Sequence, residues 1–270
     1  MKLSISNLTW ENEEDNAVKD ILTDLFVNQI EIAPTKIWGN PLEATDEAVQ
    51  NYRKYWNSDG ISIVALQSLL FGRTDLDIFS EEIIRQATLE YLYKIIEIGA
   101  GLGAKAFVFG SPKNRQIGDM KYSKALDIAF EFFYKLGEKA DQYSSVFCIE
   151  PNPKIYGCDF INTTAEGIIL VKEVNHPGFG LHLDAGGMTL SNENIQESID
   201  SAAPYLKHFH ISEPQLNMVQ NGQVDHRSFA RALRNINYEH NISIEMKPGL
   251  NNSNPETVKK SVEFVREAYF

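Results

Sequence analysis

Eight short runs of β-branched and apolar residues, each followed by a longer amphipathic run, succeed one another from one end of the chain to the other, and this alternation constrains the fold more than any other feature. The runs 2–6, 29–33, 60–66, 105–110, 145–150, 179–184, 206–211 and 241–246 read as strands. Helices are expected between them at about 14–27, 44–57, 81–102, 121–142, 163–174, 192–203, 226–236 and 255–268. A strand that always leads into a helix implies parallel strands joined by right-handed crossovers. Eight such units in 270 residues point to a closed (β/α)8 TIM barrel, an α/β fold forming a single domain over 1–270, with a doubly wound open sheet as the alternative.

Composition narrows the partners. Apolar residues make up 43% and charged residues 23%, enough to bury one large core without staples. The net charge of −12 repels polyphosphate backbones, so nucleic acid is not expected. No apolar run approaches eighteen residues and the first fifteen residues resemble neither a signal nor a transit segment, so neither a membrane partner nor a leader is expected. Cys148 and Cys158 are too few for a disulfide framework and lack zinc or redox spacing, which suits a reducing cytoplasmic setting. Gly99, Gly101 and Gly103 follow a helix and precede a strand, the reverse of a dinucleotide-binding turn, and read as a helix stop.

In a parallel barrel the reacting groups gather at the C-terminal tips of the strands. Four consecutive tips carry metal-ligand side chains: Glu150 on the fifth strand, Asp184 on the sixth, His210 on the seventh and Glu245 on the eighth. Taken singly, an acid at a strand end is more often a helix cap and a strand histidine more often a core residue. Taken together, four buried polar groups at one barrel mouth would each cost about 1–3 kcal/mol unpaired, whereas one cation satisfies them all. Three carboxylates and one imidazole suit Mn²⁺, Mg²⁺ or Co²⁺ and tolerate Zn²⁺, leaving open positions on which a hydroxy-carbonyl compound could chelate.

The segments IEIAP at 30–34, IGAGLGAKAFVFGSP at 98–112, FCIEPNP at 147–153, LHLDAGG at 181–187, HFHISEP at 208–214 and ISIEMKPG at 242–249 carry a likeness that spans nearly the whole chain. In that order the chain resembles the xylose isomerase-like barrel superfamily of sugar isomerases and epimerases, including ketose 3-epimerases and hydroxypyruvate isomerases. The resemblance implies that Glu150, Asp184, His210 and Glu245 bind one metal. It also implies that Glu150 and Glu245 move protons through an enediolate, giving epimerisation or isomerisation according to where the proton returns. Two positions depart from the epimerase pattern, which has a histidine where this chain has Gly187 and a glutamate where it has Tyr156; a different substrate is therefore expected. DNA-repair endonuclease IV shares the barrel but needs three zinc ions and more histidines, and Gln67, Phe109, Gly110 and Gly187 stand where ligands would be required. Asp225 and His226 echo part of that set, but Asp225 reads as a helix N-cap.

Around the metal ligands, Lys113 and Arg115 could hold a phosphate or carboxylate, and Lys247, two residues past Glu245, could steady an oxyanion. Gln67, Asn152 and Tyr156 offer neutral groups for sugar hydroxyls, and Trp10 an apolar wall. His182 and His208 share the parity of Asp184 and His210 and are expected to fill the barrel, with support of those ligands as the alternative, while Glu213 is expected to orient a ligand or bridge a loop rather than bind metal. The expected partner is thus a small carbohydrate, with self-association left open. Two other outcomes use the same residues: dehydration of a polyol or hydroxy acid, and sugar binding without turnover.

Overall fold

The computed structural model describes residues 1–270. Its eight strands form one closed barrel in sequence order, all parallel, with the last pairing to the first. They are β1 (Lys2–Ser6), β2 (Gln29–Ile32), β3 (Ser62–Leu66), β4 (Ala106–Phe109), β5 (Val146–Ile149), β6 (Phe179–Asp184), β7 (Leu206–Ser212) and β8 (Asn241–Glu245). Ten helices surround them: α1 (Asp15–Asp24), α2 (Pro34–Ile37), α3 (Asp46–Asn57), α4 (Glu82–Leu102), α5 (Tyr122–Asp141), α6 (Thr164–Val174), α7 (Ala185–Leu190), α8 (Ile195–Ala202), α9 (His226–Asn235) and α10 (Asn254–Tyr269).

All eight expected strands and eight expected helices are present. The two additions, α2 and α7, are one to two turns long, too short to display a helical period in sequence. Of the three glycines read as a helix stop, only Gly103 is one: it takes the left-handed C-cap of α4 at φ +97°, after the last helical residue. Gly99 lies inside α4, where a Cβ would run into the Phe107 ring, so its smallness lets helix and strand approach. No helix is long and apolar enough to cross a membrane.

The alternation along each strand sorts residues between two compartments. Outward-facing Ile5, Ile30, Leu66, Phe107, Phe147, Leu181, Phe209 and Ile242 join the helices in one apolar cluster of 65 buried residues. The residues of opposite parity fill the barrel, and many of them are polar: Ser4, Ser6, Glu31, His182, His208, His210, Ser212 and Ser243 are all buried. Two register shifts fall beside this polar set: opposite Ile30–Glu31 of β2, where β3 carries the extra Val64, and opposite Leu181–His182 of β6, where β7 carries the extra Lys207. Such irregularities re-aim side chains.

Candidate metal centre

The tips of β6, β7 and β8 bring Asp184, His210 and Glu245 together, with one ligand atom of each within 4.8 Å of the others. Asp184 ends β6 and also caps α7: its Oδ1 accepts the Gly187 N–H at 2.6 Å and its Oδ2 accepts the Ser212 hydroxyl. Helix cap and candidate ligand are thus one residue. His210 turns Nδ1 toward Glu245 Oε2, 3.1 Å away, and that nitrogen is buried with no hydrogen-bond partner. Glu150 follows the last residue of β5 and lies outside this tight trio, with its carboxylate against Gly110.

The electrostatics bind Glu150 to the others. Burial, with the Asp184 and Glu245 charges added, pushes Glu150 up to about 8, and burial with Glu245 pushes Asp184 up to about 6. Burial alone would lower His210, yet Glu31 and Glu245 hold it well above the ordinary imidazole value. Carboxylates that repel one another around an unpartnered imidazole nitrogen fit a divalent cation, which would replace protons at all of these positions. The donor set and the orphaned nitrogen therefore agree with the one-metal expectation.

Beneath the four lies a residue that sequence reading passed over. Glu31, fully buried in mid-β2, directs Oε2 at His210 Nε2 across 2.9 Å. Burial works to raise its pKa, but the His210 and His208 imidazoles bring it down to about 2, so it is an anion. The one signal available in sequence was an acid flanked by isoleucines, with a parity that points it inward. His182 and His208 sit deeper, fully buried, their Nδ1 atoms 3.2 Å apart. Glu213 accepts the backbone N–H groups of Gly222, Gln223 and Val224 and so ties down the loop after β7. Asp225 caps α9 through the Ser228 N–H.

A cavity of about 380 Å³ opens above the centre, lined by Glu150, Asp184 and Glu245 together with Gln67, Asn152, Tyr156, Gln215 and Leu216. Three of the seven substrate candidates are therefore at the cavity and four are not. Trp10 is wholly buried, donates its indole N–H to Asp15 Oδ1 at 2.7 Å and packs on Trp56, so it is core rather than wall. Arg115 is also wholly buried; its guanidinium donates to the carbonyls of Gly110, Phe160 and Glu150 at 2.8, 2.9 and 2.6 Å, leaving no fork for an anion. Lys113 is exposed on the 3-10 turn after β4 and does not line the cavity. Lys247 is exposed as well, beyond the end of β8 at Glu245, and does not line the cavity; its backbone N–H donates to Leu216 O at 3.0 Å. No lysine, arginine or histidine lines the cavity.

With this geometry in view, residues 27–268 match the model of one family, described as the xylose isomerase-like TIM barrel. The chain belongs to that family. Among sequence relatives of this xylose isomerase-like barrel, an L-ribulose 3-epimerase of Methylomonas is 29% identical over 42% of the chain and 46% of its own length. A D-psicose 3-epimerase of Agrobacterium fabrum is 32% identical over 32% of the chain and 29% of its own length. The aligned stretches thus span less than half of these relatives. Solved barrels superpose along the whole chain: a D-psicose 3-epimerase of Clostridium cellulolyticum bound to D-tagatose gives a TM-score of 0.82 at 17% identity, covering 100% of this chain and 99% of that one. The zinc-bound IOLI protein gives 0.75 at 17% identity, covering 99% and 96%.

Both departures from the epimerase pattern fall on this barrel's rim. Gly187 supplies the N–H that holds Asp184. The Tyr156 hydroxyl accepts the Gln215 N–H at 2.9 Å, joining the loops that follow β5 and β7.

Proposed function

We propose that this barrel is a divalent-metal-dependent epimerase or isomerase of uncharged sugars, in which Glu150, Asp184, His210 and Glu245 hold the metal and Glu150 and Glu245 transfer the proton. One observation carries the reading: mutually repelling carboxylates line a cavity that contains no cationic side chain, and a buried imidazole nitrogen without a hydrogen-bond partner lies beside two of them. When bound, the metal would supply Lewis acidity to a hydroxy-carbonyl group. Glu150, which lines the cavity just past β5, is placed to take a proton from carbon beside a carbonyl and to return one. Glu245, reaching the same cavity from β8, provides the second proton station, so that removal at one carboxylate and delivery at the other inverts a carbon.

The cavity volume lies within the range that encloses a small ligand, and Gln67, Asn152 and Tyr156 are neutral hydrogen-bonding groups suited to hydroxyls. Apart from the metal, a phosphate or carboxylate would meet only acidic and neutral groups there, with Arg115 committed to carbonyls and both lysines outside. The names of the relatives, ketose 3-epimerases, favour inversion at a carbon beside the carbonyl.

The test is solvent deuterium incorporation followed by NMR, with free ketoses, their phosphates and hydroxy-keto acids offered to the protein in Mn²⁺, Mg²⁺ or Co²⁺. Exchange is expected on a neutral ketose, with the product identifying epimer or isomer, and a loss of about 10²-fold or more in Glu150→Gln and in Glu245→Gln. Exchange that persists in both variants, or that favours the phosphorylated sugars, would overturn the proposal.

A further inference from the structure

Given the metal-dependent reading, we infer that Glu31 is a positioning residue for His210: its carboxylate holds the proton on Nε2 and so turns the lone pair of Nδ1 toward the cation. A neutral imidazole offers one lone pair, and the hydrogen bond made by the other nitrogen decides which one faces a metal. Glu31 Oε2 lies 2.9 Å from His210 Nε2, while Nδ1 points to Glu245 and has no hydrogen-bond partner. Both residues are within 1% of complete burial, so water cannot substitute for either group.

The placement is specific to this role. β2 is not a neighbour of β7, so the contact crosses the barrel interior, with Glu31 aimed inward between the outward-facing Ile30 and Ile32. No lysine or arginine pairs with Glu31. Its ion-pair partners are His210 and, at 3.9 Å from Oε1, His208. A lone buried carboxylate at a barrel centre is costly, and the hydrogen bond to a ligand histidine is what offsets it here. His182, His208 and His210 also form a possible nitrogen cluster. The Nε2 atoms of His182 and His208 are likewise buried without a hydrogen-bond partner, but only His210 has a carboxylate at hydrogen-bond distance on one nitrogen and a second carboxylate facing the other, so Glu31 singles out that ring.

The experiment is calorimetric titration of the metal-free protein with Co²⁺, for the wild type, Glu31→Gln, His210→Ala and the double variant, with the thermal midpoint of each metal-free form recorded. Glu31→Gln keeps the shape and is expected to bind Co²⁺ 10–100-fold more weakly with a near-native midpoint. The double variant is expected to bind no more weakly than His210→Ala alone, because Glu31 acts through that ring. Unchanged affinity in Glu31→Gln, or losses that simply add in the double variant, overturns the role of Glu31 while leaving the metal centre standing. Absence of Co²⁺ binding by the wild type overturns the metal reading itself and this role with it. Should Glu31→Gln fail to fold, histidine ¹⁵N spectra of the Zn²⁺-loaded wild type decide: His210 ligated through Nδ1 with a proton on Nε2 supports the role, and ligation through Nε2 refutes it.

Discussion

Phe147 and Glu150 lie three residues apart on and just beyond β5 and meet opposite surroundings. Phe147 faces outward, wholly buried, with its ring 5.7 Å from Phe109 and 6.4 Å from Phe133. Glu150 faces inward among charges of its own sign, which together with burial push its pKa to about 8. The outer face of the barrel adds dispersion and hydrophobic contacts that agree with one another, whereas the inner face near the mouth gathers groups that oppose one another, which the proposed cation would relieve. The comparison teaches that stability and chemistry are carried by alternate residues of the same strands. Phe147→Ala is therefore expected to cost about 3–5 kcal/mol in urea unfolding, with Mn²⁺ affinity of the folded protein unchanged. A parallel fall in metal affinity would break the separation between the faces.

How far each face could be read in advance follows from the same contrast. The outer face announces itself by period-two hydrophobicity, and the four candidate ligands stand at strand tips, where chain position alone selects them. Glu31 escaped because it sits in mid-strand, and only the crossing of the barrel brings it to His210. Arg115 was misjudged by residue type: a guanidinium suits anions, but here its donors satisfy three carbonyls at the rim. Lys247 was misjudged by extending strand alternation beyond the point where hydrogen bonding to neighbouring strands ends. Trp10 was misjudged by its place in a loop, since a loop that packs on Trp56 is as much core as any strand.

The helical shell has its own buried imidazole, and it sharpens the comparison. His226, at the start of α9, is 4% exposed; its Nδ1 meets the Tyr269 hydroxyl at 3.0 Å and its Nε2 lies 3.5 Å from Glu213 Oε1, with Asp225 beside it. Burial holds its pKa down at about 4, against the upward pull of the Val219 backbone and of Asp225. Where carboxylates push the His210 imidazole up, burial pushes that of His226 down. A depressed imidazole stabilises the fold at pH values above its unfolded pKa near 6.5. That contribution is lost as the pH falls through about 4, because the unfolded chain accepts a proton that the folded one refuses. Urea unfolding at pH 7 and pH 4.5 is expected to show wild-type stability dropping by up to about 3 kcal/mol more than that of His226→Gln. Equal drops in the two proteins would assign acid sensitivity to other groups.

The smallest substitution probes the inner face most directly. Gly110, just past β4, needs no unusual backbone conformation, and a methyl group there would ordinarily add a few tenths of a kcal/mol by restricting the unfolded chain. Its Cβ would, however, fall inside van der Waals contact with Glu150 Oε2, and 3.5 Å from Asn152 Oδ1. The carboxylate is the free end of a flexible side chain, so it, not the backbone, is displaced from its present position. Gly110→Ala is thus expected to leave the metal-free thermal midpoint within about 2 °C of the wild type while weakening Mn²⁺ binding 10–100-fold by calorimetry. On the outer face a methyl forced into contact would register first as lost stability, as Gly99 against Phe107 would show. Undiminished Mn²⁺ affinity in Gly110→Ala would mean that Glu150 holds the cation from another rotamer, and that the empty space beside it belongs to the substrate rather than to the ligand.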